Sequence, residues 1–153
     1  MLGYKFNNIN NMRLPKLSKT LYCVSLEKLK NLHLIPRVPN NFMTKNKFED
    51  YTTPRVCFST SISGCLSGLS MNLDNKELYV YKLNNVDSCD IYFPTVKEVP
   101  DVKITNEVWC LNPCDISFIC KIKIKGSYDD GEVYEYGRGN KAVLYKWKYD
   151  KVI

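Results

Sequence analysis

Three hydroxyl side chains in succession interrupt the chain where an apolar run, RVCFS (55–59), ends: Ser59, Thr60 and Ser61. Hydroxyls can form the polar wall of a ligand pocket, and they also accept hydrogen bonds from the first N–H groups of a helix. Apolar residues then recur at helical spacing, at Ile62, Leu66 and Leu69. The pattern predicts a strand that turns directly into a helix, with helix capping and ligand binding as alternative roles for the hydroxyls.

Other side chains suited to nucleotide chemistry are spread along the chain. The planar fork of donors on Arg37 can bind a pyrophosphate, or it can close a salt bridge with Glu49 or Asp50. Tyr79 shares a strand face with Tyr81, and such rings either stack on a ligand ring or pack in the core. Arg37 and Tyr79 therefore each have a ligand-binding and a structural interpretation.

The chain has seven cysteines, an odd number. Several lie in apolar strand-like runs, where cysteine behaves as a small buried hydrophobe. Cys110, Cys114 and Cys120 are close together, but their spacing matches no common zinc pattern. We therefore expect reduced thiols and no bound metal.

A Cys/His hydrolase would have to use His33, the one histidine, with Cys57 or Cys65. Nothing beyond their availability supports that pairing. Arg55, at the start of a strand, is expected to be structural, and Trp109 is expected to lie in the core.

Composition bounds the class of protein. The chain has 153 residues and is 44% hydrophobic and 25% charged, as in an ordinary globular domain. No apolar run approaches the roughly 18 residues that a membrane helix needs, and the polar, Asn-rich amino terminus does not resemble a secretory signal. We expect a cytoplasmic protein with no membrane partner.

The formal net charge of +6 is unevenly distributed: residues 1–55 carry +7, residues 56–120 carry −4 and residues 121–153 carry +3. A nucleic-acid site needs basic residues on one face, and KIKIKG (121–126) alternates in that way. Alternating lysines also describe the solvated face of a strand. Nucleic acid is therefore a possible but less favoured partner.

Period-two alternation predicts most of the secondary structure. The predicted strands are 21–25, 55–59, 77–83, 107–111 and 116–125, with two more in the tail at VYEY and AVLYKWKY. Leu26, Leu29 and Leu32 predict a short helix after a Ser25 cap, and Asp129-Asp130-Gly131 predicts a hairpin turn. The fold class is α+β, with a sheet-rich split β core and two short helices.

The chain is divided on composition. Residues 1–20 form an N-terminal extension, and residues 21–153 form a single domain with a core over 21–125 and a C-terminal β-hairpin over 126–153. The Pro- and Asn-rich stretch 34–54 forbids long regular structure and is expected to be a functional loop.

The order of these elements resembles the ADP-ribosyltransferase superfamily over roughly residues 21–125. The strand LYCVS (21–25) corresponds to the family's first strand, and CFSTSI (57–62) corresponds to its strand-to-helix motif. The strand beginning with Asn106-Glu107-Val108-Trp109 corresponds to the late strand that carries the family's glutamate. The resemblance implies an ADP-ribosyltransferase-like fold and NAD as a substrate, with no metal.

The resemblance also implies roles for individual residues. Glu107 is the catalytic carboxylate that bonds a ribose hydroxyl and stabilises the oxocarbenium-like centre as nicotinamide leaves. The residues that the resemblance and side-chain chemistry assign to NAD binding are Tyr22, Ser25, Arg37, Ser59, Thr60, Ser61 and Tyr79.

Two functions follow from this resemblance. The first is transfer of ADP-ribose from NAD to a macromolecule such as a host protein. The second is a non-catalytic inhibitor on the same fold that binds a nucleotide or a protein, because Tyr22-Cys23 replaces the His or Arg of the family's first strand. The small size and the Asn/Lys/Tyr/Ile usage suit a phage-encoded anti-defence protein, for example one of the anti-CRISPR type.

Overall fold

The computed structural model describes residues 4–5, 20–69, 72–136 and 140–152. Their strands are β1 (Tyr4–Lys5), β2 (Tyr22–Ser25), β3 (His33–Leu34), β4 (Val56–Ser59), β5 (Glu77–Leu83), β6 (Ile91–Phe93), β7 (Glu107–Cys110), β8 (Cys114–Tyr136) and β9 (Asn140–Val152). Their helices are α1 (Phe42–Lys45), α2 (Ile62–Ser67) and α3 (Val102–Thr105), with a 3₁₀ turn over Val86–Ser88. The fold is therefore sheet-rich α+β, as the sequence predicts.

The strands follow one hydrogen-bonded order, β1-β6-β7-β4-β2-β5-β8-β3, with β9 paired to β8. All the pairings are antiparallel. The four strands expected to lie together are consecutive neighbours in this order: β7, β4, β2 and β5. The strand that carries the hydroxyls and the strand that carries Glu107 are thus directly paired.

Each face of the sheet buries its own apolar cluster. The closed face, as we call it, holds Phe58, Tyr81, Val108, Cys110 and Ile91 with their neighbours. The opposite face holds a second cluster in which Leu66 of α2 packs with strand residues of β5 and β8. Because side chains alternate along a strand, the residues between those of the closed face project to the α2 side. We call that side the cleft face; among its residues are Arg55, Cys57, Ser59, Glu107 and Trp109.

The ladder is thinnest between β2 and β4. Only Tyr22 and Ser59 are in register there, whereas β2 pairs with β5 over four residues and β4 pairs with β7 over four. The start of β4 is instead bridged by the loop, because the backbones of Arg37 and Arg55 exchange two hydrogen bonds of 3.1 and 3.0 Å. The sheet therefore opens between β2 and β4 from their single shared pair.

The strand-to-helix junction at the end of β4 is tightly built. Ser61 has extended backbone and accepts a 2.9 Å hydrogen bond from the N–H of Gly64, so it is the N-cap of α2. A Cβ at Gly64 would collide with the carbonyl oxygen of Thr105 and the hydroxyl of Ser59. Glycine is required here because the junction leaves no room for a side chain.

Two local predictions are wrong. Residues 26–32 are not helical: Ser25 accepts a hydrogen bond from the N–H of Glu27 in a tight turn, and the N–H of Leu29 donates to the Tyr81 hydroxyl at 2.8 Å. Asp129-Asp130-Gly131 is not the hairpin turn, because β8 continues to Tyr136. The register shift between Asp129 and Val133 shows that this segment is a bulge.

The predicted extension, residues 1–20, lies mostly outside the described residues. Its described part includes β1, which pairs with β6 through Tyr4–Phe93 and Lys5–Tyr92. Within the described ranges, no helix is long and apolar enough to cross a membrane.

Candidate functional site

A cleft of about 770 Å³ opens between the start of β4 and the segment 31–41, with Glu107 of β7 in its wall. We call it the main cleft; its charged and nucleophilic lining residues are His33, Arg37, Glu49, Arg55, Cys57 and Glu107. A smaller inner cleft of about 170 Å³ lies beside α2 and shares Cys57 and Glu107 with the main cleft. The main cleft is in the size range of pockets that bind cofactors.

Arg55 lies at the bottom of the main cleft, with its side chain fully buried. Its guanidinium stacks on the Trp109 ring at 4.1 Å from the ring centroid, and its Nη1 donates to the carbonyl of Thr53 at 3.0 Å. Asp50 and Glu49 form ion pairs with it at 3.6 and 3.8 Å. Its Nε and Nη2 nevertheless have no hydrogen-bond partner.

Arg55 was expected to be structural, and its burial, its stack on Trp109 and its ion pairs agree with that expectation; its place in the lining of a cleft was not predicted. Its alternation with Cys57 and Ser59 was visible in the strand, but the partner that holds it, Trp109, is 54 positions away on β7. The Glu49 and Asp50 contacts considered for Arg37 are made by Arg55 instead.

Glu107 opens β7 and lies directly opposite Ser59 of β4. Its Oε2 accepts a 3.0 Å hydrogen bond from the Trp109 indole N–H, which fixes the carboxylate on the cleft face. Burial raises the pKa of Glu107 above its ordinary value, and the Trp109 bond and the Arg55 charge oppose that shift only in part. Glu107 is therefore a positioned carboxylate, partly desolvated, that lines both clefts.

Glu49 is a second carboxylate in the main cleft, supplied by the irregular loop after α1. Its pKa is raised to about 7, first by burial and then by repulsion from Glu107 and Asp101, and the Arg55 charge opposes this rise only in part. The described residues donate no hydrogen bond to this carboxylate. Its role was not predicted beyond a salt bridge, because nothing local marks a glutamate in a loop.

Arg37 lies at the mouth of the main cleft and is exposed. Its backbone bridge to Arg55 sets the two arginines side by side, with side chains on the same side of the ladder. Among the described residues, no carboxylate forms an ion pair with Arg37. The cleft thus has a cation at its mouth and two carboxylates around a buried cation at its floor.

The three hydroxyls at the junction have different surroundings. Ser59 is 3% exposed, donates to the carbonyl of Thr105 at 2.6 Å and accepts from the N–H of Ser61 at 3.2 Å. Ser61 caps α2. Thr60 is half-buried, with its N–H bonded to the carbonyl of Asn106, and it is not among the described residues that line either cleft. Helix capping therefore occupies Ser61, and Ser59 reaches only the inner cleft.

The other predicted contact residues divide between the two faces. Tyr22 lies on the cleft face opposite Ser59 and lines the inner cleft. Ser25 and Tyr79 pair with each other across β2 and β5. Tyr79 packs against the cluster of the closed face and contacts Phe118 and Lys121. The structure therefore does not bring Ser25 and Tyr79 together with Glu107.

All seven cysteines are free thiols. Burial raises the pKa of Cys23, Cys57 and Cys65 to about 12, so these thiols stay protonated at neutral pH. His33 is exposed and bonds Asp115 through Nδ1 at 2.7 Å. The part of the chain that the structure describes contains no group of three His, Cys, Asp or Glu side chains arranged to hold a metal ion.

No protein-family model, curated protein or solved structure matches this chain.

Proposed function

We propose that the main cleft binds NAD and that the protein transfers ADP-ribose from NAD to a macromolecule, with Glu107 as the catalytic carboxylate. The observation that carries the proposal is that Glu107 and Arg37, predicted from distant parts of the chain, line one cleft. The opening of the sheet between β2 and β4 supports the split core that the resemblance implies.

The distribution of charge in the main cleft favours this substrate. The pyrophosphate of NAD carries negative charge, and the exposed guanidinium of Arg37 at the mouth is the cation that has no competing ion pair among the described residues. Positive charge develops on the ribose as nicotinamide leaves, and Glu107, held by Trp109, is a fixed carboxylate that stabilises it. The glycosidic bond to nicotinamide breaks, and the new bond joins the ribose to a nucleophile of the target.

A second candidate function is a non-catalytic inhibitor that binds a nucleotide or a host protein, as a phage anti-defence protein would. The observation that favours it is the first strand. Cys23 stands beside Tyr22 where the family has His or Arg, and its buried thiol has a pKa raised to about 12, so it supplies neither a charge nor a strong donor. Binding without turnover would then be the function of the cleft.

The first function is tested by adding the purified protein and labelled NAD to a cell lysate. Mass spectrometry then identifies any proteins that carry the label. Glu107→Gln keeps the shape and an acceptor for the Trp109 N–H but removes the charge. We expect transfer to fall about a hundredfold or more while the thermal midpoint changes little. The matched control is Glu77→Gln, an exposed strand carboxylate paired with Lys121 at 2.6 Å, which should keep full activity.

Calorimetry with NAD and ADP-ribose separates the two candidates. Tight binding without transfer supports the inhibitor. The catalytic proposal is contradicted if neither binding nor transfer is detected, or if Glu107→Gln transfers ADP-ribose as well as the wild type does.

A further inference from the structure

The contact between Glu49 and Arg55 is incomplete on both sides. Their closest pair of atoms, Oε2 and Nη2, is 3.8 Å apart, which is too long for a hydrogen bond. The two donors of Arg55 without a partner, Nε and Nη2, form the side edge of the guanidinium, where two N–H groups point in parallel. The Cys57 thiol lies in the same cleft, close enough for the Arg55 guanidinium to lower its pKa against the larger effect of burial, but neither nitrogen makes a hydrogen bond of normal geometry.

Arg55 cannot turn this edge toward another partner. Its guanidinium plane is fixed by the stack on the Trp109 ring, and its other nitrogen, Nη1, donates to the carbonyl of Thr53 and faces Asp50. A buried donor without a partner costs about 1–3 kcal/mol, so a fixed pair of such donors in a cleft favours any group that satisfies them.

The surroundings disfavour an anion as the ligand group that pairs with the two free N–H groups of Arg55. Burial and the charges of Glu107 and Asp101 raise the pKa of Glu49 to about 7 despite the adjacent Arg55. An environment that disfavours one carboxylate disfavours a phosphate as well. The group that fits is neutral, and it both accepts a hydrogen bond from Arg55 and donates one to Glu49.

A hydroxyl has this property. One that bridges the two side chains, with bonds of about 2.9 and 2.7 Å at a tetrahedral angle, needs them about 4.5 Å apart. Glu49 therefore has to retreat by less than about 1 Å, a distance within reach of its flexible side chain while its backbone N–H stays bonded to the carbonyl of Met43 at 3.2 Å. The two parallel N–H groups of Arg55 and the two carboxylate oxygens of Glu49 can together bond two adjacent hydroxyls, one donor and one acceptor for each.

We propose that the gap between Glu49 and Arg55 is a subsite for the two adjacent hydroxyls of a ribose. Each hydroxyl accepts from one N–H of the Arg55 side edge and donates to the Glu49 carboxylate. The choice of ribose as the sugar rests on the proposed function, whereas the recognition of a pair of hydroxyls does not require NAD.

The test uses ribose 5-phosphate and 2-deoxyribose 5-phosphate, which differ in one hydroxyl. Each sugar is titrated into the full chain while the two indole N–H resonances are followed by NMR. Trp109 reports on the subsite because its ring stacks on Arg55, and Trp147, which donates to the Ser67 hydroxyl at 3.1 Å, is the internal control. We expect the Trp109 resonance to shift and ribose 5-phosphate to bind about tenfold more tightly than the deoxy sugar.

Variants at two carboxylates complete the test. In Glu49→Ala the preference for the hydroxylated sugar should fall to about one, and in Glu49→Gln, which keeps one acceptor, it should be intermediate. Glu77→Ala, far along β5, should keep the full preference. Equal binding of the two sugars by the wild type, a Trp109 resonance that does not move, or a preference that survives in Glu49→Ala overturns the proposal.

These outcomes are distinct from those for the proposed function. A preference for the ribose hydroxyls without any NAD turnover keeps the subsite and contradicts the transferase. Turnover that depends on Glu107 without any preference at Glu49 keeps the transferase and contradicts the subsite.

Discussion

The strand-to-helix junction and the floor of the main cleft both bury polar groups on the same face of the sheet, and they differ in how those groups are satisfied. At the junction, the Ser59 hydroxyl bonds Thr105 and Ser61, and the Ser61 hydroxyl bonds Gly64. At the floor, two N–H groups of Arg55 have no partner, and the described residues donate no hydrogen bond to Glu49.

The difference separates structural polar groups from those available to a ligand. A buried group whose hydrogen bonds are complete contributes to stability and gains little from a ligand. A buried group without a partner costs stability until something binds it. Variants at the junction should therefore lose stability and keep ligand binding. Variants at the floor should keep or gain stability and lose ligand binding.

The largest effect is expected from Gly64→Ala. The new methyl group would collide with the backbone of Thr105 and the hydroxyl of Ser59, so the junction must shift, at a cost of about 3 kcal/mol. Urea unfolding measures this loss. The control is Gly68→Ala, where the nearest atom to the added Cβ is 3.4 Å away and φ is −76°; this variant should change stability by less than about 1 kcal/mol. Equal effects of the two substitutions would show that the junction is not tightly packed.

An intermediate effect is expected from Ser59→Ala. The carbonyl of Thr105 and the N–H of Ser61 both lose their partner in a site that is 3% exposed, which should cost about 2 kcal/mol. The same urea titration applies, followed by the sugar titration on the folded variant. Loss of ribose 5-phosphate binding with unchanged stability would assign Ser59 to the ligand site and break the comparison.

The smallest effect is expected from Glu49→Gln, and it depends on pH. The folded-state pKa of about 7 lies above the ordinary value of 4.5, so the contribution of Glu49 to stability is fully present below about pH 4.5 and is lost as pH rises through 7. The glutamine variant cannot ionise and should unfold at a midpoint about 3 °C higher than the wild type at pH 8, with no difference at pH 4.5. Thermal scans at the two pH values measure this. A variant that is less stable at pH 8 would show that the ion pair with Arg55 outweighs burial.

Patterns within a few residues predicted the strands well. LYCVS, RVCFS, ELYVYKL and EVWCL are the strands β2, β4, β5 and β7 to within one residue at each end, since alternation reports directly on burial. The α2 helix followed from the spacing of Ile62, Leu66 and Leu69. Both the strand alternation and the helical spacing are local properties, so a single sequence contains them.

Local patterns failed where distant residues decide. Leu26, Leu29 and Leu32 have helical spacing, yet the Tyr81 hydroxyl and the backbone of β8 take the hydrogen-bonding groups of that segment. The cleft floor was missed for the same reason. Glu49, Arg55 and Trp109 come from a loop and two strands, and no short motif joins them.

The long hairpin ends the sheet with β9, which among the described strands pairs only with β8. Lysine occurs four times in its thirteen residues, at positions 141, 146, 148 and 151, against a single acid, Asp150. If two copies of the chain joined along this edge, two strands that each carry a net positive charge would lie about 5 Å apart. Electrostatic repulsion therefore limits self-association through the open edge of β9. High ionic strength screens that repulsion, so it is the condition that would favour association of two copies along this edge.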